Sequence, residues 1–168
     1  EEEKLLLEML QLEAQQPFKV LIAPHDLSRG HLDQLQERFP EALLYTQADE
    51  KATTFNKNQR IMILDSIGQL SAAYQYGSLA FVGGGFSGSL HNILEPLAYG
   101  LPVMFGPKHQ KFPEAQQFLE LGFAKEIANA QDLDSAVRYF LENAPQHHEA
   151  IEQEIFKMQV KIPNKLVN

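Results

Sequence analysis

One stretch, residues 79–105, constrains the fold more than any other part of the chain. It starts with the apolar run LAFV at 79–82, continues through a glycine-rich loop at 83–88, and ends with the apolar run VMF at 103–105. Short apolar runs are typical of buried strands, and Pro96 between them is tolerated only near the start of a helix. The stretch therefore predicts strand, glycine-rich loop, helix and strand. That layout aims backbone N–H groups and a helix N-terminus at a phosphate.

The rest of the chain repeats the same alternation of strands and helices. Further strands are predicted at 18–23, 43–45, 61–64 and 123–126, and helices at 1–15, 31–39, 68–76, 112–121, 132–142 and 145–158, with a long polar loop at 46–60. Continuous apolar strands that alternate with amphipathic helices indicate a parallel sheet covered on both faces. The predicted fold class is α/β, a Rossmann-like doubly wound parallel sheet of about six strands. In such sheets the ligand binds outside the carboxyl ends of the strands.

Composition excludes several classes of protein. A chain of 168 residues with 44% hydrophobic residues is long and apolar enough for one globular domain, and its net charge of −8 argues against nucleic-acid binding. Cysteine is absent, which excludes disulfides and thiolate metal sites. No apolar run approaches the roughly 20 residues that span a bilayer. The chain opens on Glu-Glu-Glu-Lys without Met and without a signal peptide, so we expect a piece of a longer protein.

Asn92 and Glu95 allow two compatible interpretations. Asn-x-x-Glu is a variant of the capping box, with Asn92 as N-cap and Glu95 at the third helical position. In the functional interpretation the capping residue orders the loop, and the Glu95 carboxylate accepts hydrogen bonds from sugar hydroxyls.

Other polar groups fall at the predicted carboxyl ends of strands. Ser66 is predicted to cap the helix after the strand at 61–64, and the N–H groups of the following residues form a second candidate site for an anion or a base edge. His25, His91 and His109 also follow strands and are candidates for anion contact. Lys108 and Lys111 have two interpretations: they bind a phosphate or carboxylate, or they are exposed loop lysines. The histidines lack the spacing of metal ligands, so no metal is predicted.

The glycine-rich turn followed by Glu95, Ala98, Gly100, Pro102 and Val103 resembles the donor-nucleotide motif of GT-B glycosyltransferases. Together with the runs FVGG, HNILEP, PVMFGP and DSIGQL, the segment from 18 to 142 resembles 3-deoxy-D-manno-octulosonic acid (Kdo) transferase, which moves Kdo from CMP-Kdo to lipid A. That family usually has Pro-Arg-His where this chain has Pro-His-Asp at 24–26. It also usually has Gly-Gly where this chain has Ser-Leu at 89–90.

The resemblance implies that residues 1–168 form the nucleotide-sugar (donor) binding half of a GT-B fold. Residues 1–15 would be a leading helix, and 145–168 a carboxyl-terminal helix and tail. The amino-terminal domain, absent here, would hold the acceptor, the general base and the membrane association. The whole protein would act in lipopolysaccharide biosynthesis at the cytoplasmic face of the bacterial inner membrane, without a cofactor. This piece would be soluble, would carry no catalytic residue and would be inactive alone. The donor-binding residues it implies are His25, Ser66, Ile67, Gly68, Gly83, Gly84, Gly85, His91, Asn92 and Glu95.

Three alternatives stay open at this point. A UDP-sugar-using GT-B transferase or a UDP-sugar 2-epimerase shares the same Glu, Gly and Pro-Val pattern, and a preference for uridine over cytidine nucleotides would distinguish them. A non-catalytic nucleotide-binding or interaction module would keep the fold without sugar transfer. The plainest alternative is an α/β domain with no ligand.

Overall fold

The computed structural model describes residues 1–12, 18–48 and 59–161. The elements in chain order are α1 Glu2–Leu12, β1 Val20–Ile22, α2 Arg29–Arg38, β2 Leu43–Leu44, a 3-10 turn Tyr45–Gln47, β3 Ile61–Ile63, α3 Leu70–Tyr74, β4 Ala80–Val82, α4 Leu94–Ala98, β5 Val103–Phe105, α5 Pro113–Glu120, β6 Ala124–Glu126, α6 Ala130–Glu142 and α7 Ala144–Lys161. Most of the predicted loop at 46–60, and the last residues of the predicted first helix, lie outside the described residues. Within the described ranges, no helix combines the length and apolar character needed to cross a membrane.

The described strands pair in two parallel sheets of three. One sheet has the order β1-β3-β2, and the other has the order β4-β5-β6. Each strand lies within one of the predicted strand segments, and every pairing is parallel. The prediction of a Rossmann-like α/β fold with six parallel strands is therefore confirmed, and the structure adds that the strands hydrogen-bond as two sheets.

The chain divides into two compact units. The larger unit comprises Glu1–Met9 and Tyr74–Asn168 and contains β4, β5 and β6. The smaller unit, Leu10–Ala73, contains β1, β2 and β3.

The core of the larger unit is built around β5. Val103, Met104 and Phe105 are all buried, as expected for a central parallel strand covered on both faces. Phe118 of α5 packs in the same cluster, as do two isoleucines of α7, Ile151 and Ile155. Burial of these isoleucines confirms that they lie on one face of the last predicted helix, and it shows that this face is directed into the core.

The core of the smaller unit comes from β3 and α2. Ile61 and Ile63 of β3 are buried, together with Leu35 of α2 and Phe39, which directly follows that helix. The helix ends at Arg38, directly before Phe39 and Pro40, because proline disfavours helical geometry in the residue that precedes it. The loops at the carboxyl ends of β1 and β3 carry the candidate residues of this unit.

Candidate functional site

The glycine-rich loop after β4 closes on the carbonyl of Gly84. The N–H groups of Gly88 and Ser89 donate to that oxygen at 3.1 and 3.0 Å, and the Ser87 hydroxyl donates to it at 3.0 Å. Gly84 has a φ of +85°, and a methyl group there would lie 2.1 Å from the Ser89 carbonyl oxygen. The loop conformation itself therefore requires glycine at position 84.

Gly85 is required for a different reason, the close approach of two loops. A methyl group on Gly85 would lie 2.4 Å from the backbone nitrogen of Gly106, which follows β5. The Lys108 N–H donates a hydrogen bond to the Gly85 carbonyl at 2.7 Å, which connects the loop after β5 to the loop after β4. Two of the three consecutive glycines thus have a structural reason, so their number does not itself indicate a ligand. Gly83 differs, since a methyl there would make only ordinary contact with His91 at 3.7 Å.

A carboxylate already contacts the glycine-rich loop. Glu2 of α1 accepts a hydrogen bond from the Gly84 N–H at 2.8 Å, and both residues belong to the larger unit. The Gly84 N–H is one of the groups predicted to contact the donor. Its position therefore suits an anionic oxygen, as the sequence predicts for this loop.

Asn92 and Glu95 do not form the predicted capping box. Helix α4 begins at Leu94 with Ile93 as its N-cap, so Glu95 is the second helical residue. The Asn92 side chain accepts a hydrogen bond from the Leu94 N–H at 3.0 Å, the two-residue pattern of an Asx turn. The register of the capping prediction is therefore wrong, although Asn92 still orders the start of α4. Its side-chain NH2 makes no hydrogen bond to the described residues.

Glu95 is half-buried, and its carboxylate has no hydrogen-bond or ion-pair partner among the described residues. The negative charge of Glu95 acts on Tyr74. The Tyr74 ring lies 5.9 Å from the ring of Tyr99. Burial raises the pKa of Tyr74 to about 12, and the charge of Glu95 contributes to the same shift. A partly buried carboxylate without a partner is costly unless a ligand supplies donors.

The smaller unit holds the candidates that follow β3. Ser66 is not the N-cap of α3, which begins at Leu70; its hydroxyl is buried and lacks a hydrogen-bond partner among the described residues. Ile67 is 89% exposed, and Gly68 has a φ of +84° with open space around it. Asp65 has a structural role, because its carboxylate accepts hydrogen bonds from the Thr46 N–H at 2.9 Å and from the Thr46 hydroxyl.

His25 is exposed in the loop after β1 of the smaller unit. Next to it, the Asp26 carboxylate accepts hydrogen bonds from the N–H and hydroxyl of Ser28, which lowers the pKa of Asp26. His91 lies in the larger unit, is exposed, and packs against Gly83 and Gly84. The ten predicted site residues therefore fall into two groups, with His25 and residues 66–68 in the smaller unit and the others in the larger one.

His109 is not available for the anion contact predicted from its position after β5. The side chain is only 5% exposed, and its Nε2 lies 2.8 Å from the Glu126 carboxylate on β6. Its ring also packs edge-on against Phe105. The prediction for this histidine is wrong because β6 supplies a partner that no local pattern reveals. The Nδ1 atom is buried without a hydrogen-bond partner among the described residues.

Known proteins resemble this chain in sequence. No family model matches it. A 3-deoxy-D-manno-octulosonic acid transferase from Chlamydophila psittaci is 34% identical over 113 residues, covering 66% of this chain and 25% of the relative. The enzyme of the same name from Aquifex aeolicus is 36% identical over 85 residues, or 48% of this chain and 24% of the relative. The chain thus spans about a quarter of the length of these curated relatives.

A solved structure has the same fold. The crystal structure of the C-terminal CMP-Kdo binding domain of WaaA from Acinetobacter baumannii matches 93% of this chain and 82% of its own, with a TM-score of 0.75 and 22% sequence identity. The fold of this chain is therefore that of a GT-B half domain. In sequence the chain resembles Kdo transferases, which confirms the resemblance drawn from the HNILEP and PVMFGP motifs.

Proposed function

We propose that this chain is the donor-binding domain of a glycosyltransferase that moves Kdo from CMP-Kdo to lipid A. The observation that carries the proposal is Glu95, a half-buried carboxylate without a polar partner among the described residues at the start of α4. A ribose diol supplies the two donors that this carboxylate lacks. Relatives named as Kdo transferases, which share up to 37% identity over aligned segments of more than 80 residues, support the same assignment.

In this proposal the larger unit binds the ribose and the phosphate. Glu95 accepts hydrogen bonds from the ribose hydroxyls. The side-chain NH2 of Asn92 donates to the phosphate, because its oxygen already accepts the Leu94 N–H. Backbone N–H groups of the loop Gly83, Gly84 and Gly85, with His91 beside them, surround the same anion.

Within the smaller unit, base and phosphate contacts are proposed for the candidates that follow β1 and β3. The unsatisfied Ser66 hydroxyl and the N–H groups of the open turn at Ile67 and Gly68 suit the polar edge of cytosine. His25 occupies the position where the family usually has a phosphate-binding arginine. Contacts to the phosphate stabilise the negative charge that develops on departing CMP, which is the share of catalysis proposed for this chain.

The remaining functions belong to the rest of the proposed protein. The general base, the lipid A precursor and the membrane contact are assigned to an amino-terminal acceptor domain. That protein would act at the cytoplasmic face of the inner membrane. This chain alone is expected to bind donor without transferring sugar, and fusion to an acceptor domain that fails to restore transfer would favour a non-catalytic module.

Isothermal titration of this chain with CMP and with UMP tests the proposal. We expect CMP to bind at least tenfold more tightly than UMP, because the polar edge of cytosine differs from that of uracil. A preference for UMP would contradict the proposal and assign the chain to the UDP-sugar enzymes. If neither nucleotide binds, the same titration is made on the full-length protein, where absence of CMP binding would overturn the proposal.

Glu2→Gln is expected to strengthen CMP binding by about threefold. The Glu2 carboxylate accepts a hydrogen bond from the Gly84 N–H at 2.8 Å, so it competes with the donor phosphate for this N–H. Its negative charge also repels the phosphate. Glutamine removes the charge and keeps the shape, and charge-assisted hydrogen bonds are roughly twice as strong as neutral ones. Titration with CMP at low ionic strength measures the change.

Glu8→Gln is the control for this variant, since Glu8 lies on the same helix and pairs with Lys4 at 3.6 Å. It should leave CMP affinity unchanged. Equal strengthening by both variants would mean that only the overall charge matters, and would contradict a specific competition at Gly84.

A further inference from the structure

A polar cleft lies beside the glycine-rich loop in the larger unit. It has a volume of about 260 Å³ and is lined by Ser87, Gly88, Lys108, Gln110 and Lys111. The first two residues belong to the loop after β4, and the other three to the loop after β5. No acidic side chain is among the residues that line it.

The ammonium groups of the two lysines of the cleft lack partners. Lys108 and Lys111 are exposed, and neither side chain makes a hydrogen bond or ion pair with the described part of the chain. Other lysines of the larger unit are engaged: Lys157 pairs with Glu154 at 3.2 Å, and Lys125 lies 4.2 Å from the centre of the Tyr139 ring. Acidic residues outnumber lysine and arginine by 22 to 14, so two unpaired lysines in one cleft create a local positive field against the overall charge.

Hydrogen bonds fix the walls of the cleft to the glycine-rich loop. The Lys108 N–H donates to the Gly85 carbonyl at 2.7 Å, and the Ser87 hydroxyl donates to the Gly84 carbonyl at 3.0 Å. Gln110 is held by its own loop, because its side-chain NH2 donates to the Pro107 carbonyl at 2.7 Å. The cleft is therefore a continuation of the surface proposed above to bind the donor.

We propose that Lys108 and Lys111 form an anion subsite that receives the carboxylate of the donor's acidic sugar. This inference rests on the proposed function, and it deepens it by assigning the sugar rather than the nucleotide. A CMP-linked ulosonic acid carries two anionic groups close together, the phosphate and the carboxylate on the anomeric carbon. Backbone N–H groups of the loop serve the phosphate, and the adjacent ammonium groups serve the carboxylate as mobile point charges.

The subsite also provides a basis for selection among sugars. A nucleotide-linked neutral hexose carries no carboxylate and leaves both ammonium groups without a partner. An acidic sugar gains a charge–charge contact with the ammonium groups that a neutral hexose cannot make, which favours the acidic donor. The lysines are thus specificity-determining residues in this proposal.

Titration with three probes tests the subsite: CMP, a hydrolysis-resistant CMP-Kdo analogue with a free carboxylate, and the methyl ester of that analogue. We expect the wild-type chain to bind the acid about tenfold more tightly than the ester. In the double variant Lys108→Gln, Lys111→Gln the acid and the ester should bind equally, and CMP affinity should stay within about twofold of wild type. Lys157→Gln is the matched control and should keep the tenfold difference.

Each other outcome overturns the inference. If the double variant keeps the preference for the acid, the lysines do not bind the carboxylate. If it loses affinity for all three probes alike, the lysines serve the phosphate instead. If the wild-type chain binds none of the probes, the three titrations are made on the full-length protein. Absence of CMP binding there would overturn the proposed function, which distinguishes that failure from failure of the subsite. Thermal unfolding of the double variant, compared with that of the two single variants, verifies that the double variant is folded.

Discussion

Replacing Glu95 with alanine is expected to weaken CMP binding on the order of 100-fold while the fold stays intact. The carboxylate has no polar partner among the described residues, so the free protein loses no hydrogen bond when it is removed. In the complex the Glu95 carboxylate would accept hydrogen bonds from two ribose hydroxyls. Hydrogen bonds to charged groups contribute roughly 1.5–3 kcal/mol each, and loss of two at the lower end of that range, about 3 kcal/mol, gives an effect on the order of 100-fold.

Isothermal titration with CMP and thermal unfolding together measure this prediction. Glu114→Ala is the matched control, because Glu114 is also an acidic residue in the first turn of a helix of the larger unit, α5. We expect the control to bind CMP as the wild-type chain does. If Glu95→Ala keeps its affinity, Glu95 has only a local role at the start of α4, and the proposed function loses its main support.

Tyr74 reports whether the charge of Glu95 lies where the structure has it. In Glu95→Gln the pKa of Tyr74 should fall from about 12 but stay above 10.0, because burial is the larger cause of the shift and remains. The raised pKa of Tyr74 also stabilises the folded state below about pH 10, a contribution that is lost as pH rises towards 12. Absorbance titration against a Tyr74→Phe reference isolates this group from the other four of the chain's 5 tyrosines.

Five of the strands were predictable because each lies in a short apolar run that a parallel sheet buries. The sixth, β6, has the sequence AKE and lies inside the segment predicted as a strand at 123–126. Their pairing into two sheets of three was not predictable, since strand order depends on contacts between distant segments. Helix ends were less accurate: α4 begins at Leu94 and α3 at Leu70, each after a loop whose polar residue resembled a cap.

The candidate site was predictable where residue type and position suffice. A glycine-rich loop followed by Asn92 and Glu95 indicates a nucleotide site from local order alone. The partners of individual groups were not predictable. Glu2 accepts a hydrogen bond from the Gly84 N–H although the two residues are 82 positions apart, and the His109 ring pairs with the Glu126 carboxylate. Neither contact is indicated by a local sequence pattern.

Gly85→Ala is expected to lower the free energy of unfolding of the larger unit by about 3 kcal/mol, the upper part of the range for overpacked positions. The added methyl would lie 2.4 Å from the nitrogen of Gly106 and 2.9 Å from its Cα and carbonyl oxygen. These are backbone atoms, which cannot turn aside as a side-chain end can. The loops after β4 and β5 must therefore separate, and the Lys108–Gly85 hydrogen bond of 2.7 Å is lost with them. Denaturant unfolding measures the change.

Gly83→Ala is the control that separates packing from ligand binding at this loop. Its methyl would meet only the His91 ring at 3.7 and 3.8 Å, an ordinary contact, so stability should change by less than about 0.5 kcal/mol. Equal stability of the two variants would contradict the packing explanation. If Gly85→Ala were stable but no longer bound CMP, close approach of the ligand, and not of Gly106, would be the reason for glycine at position 85.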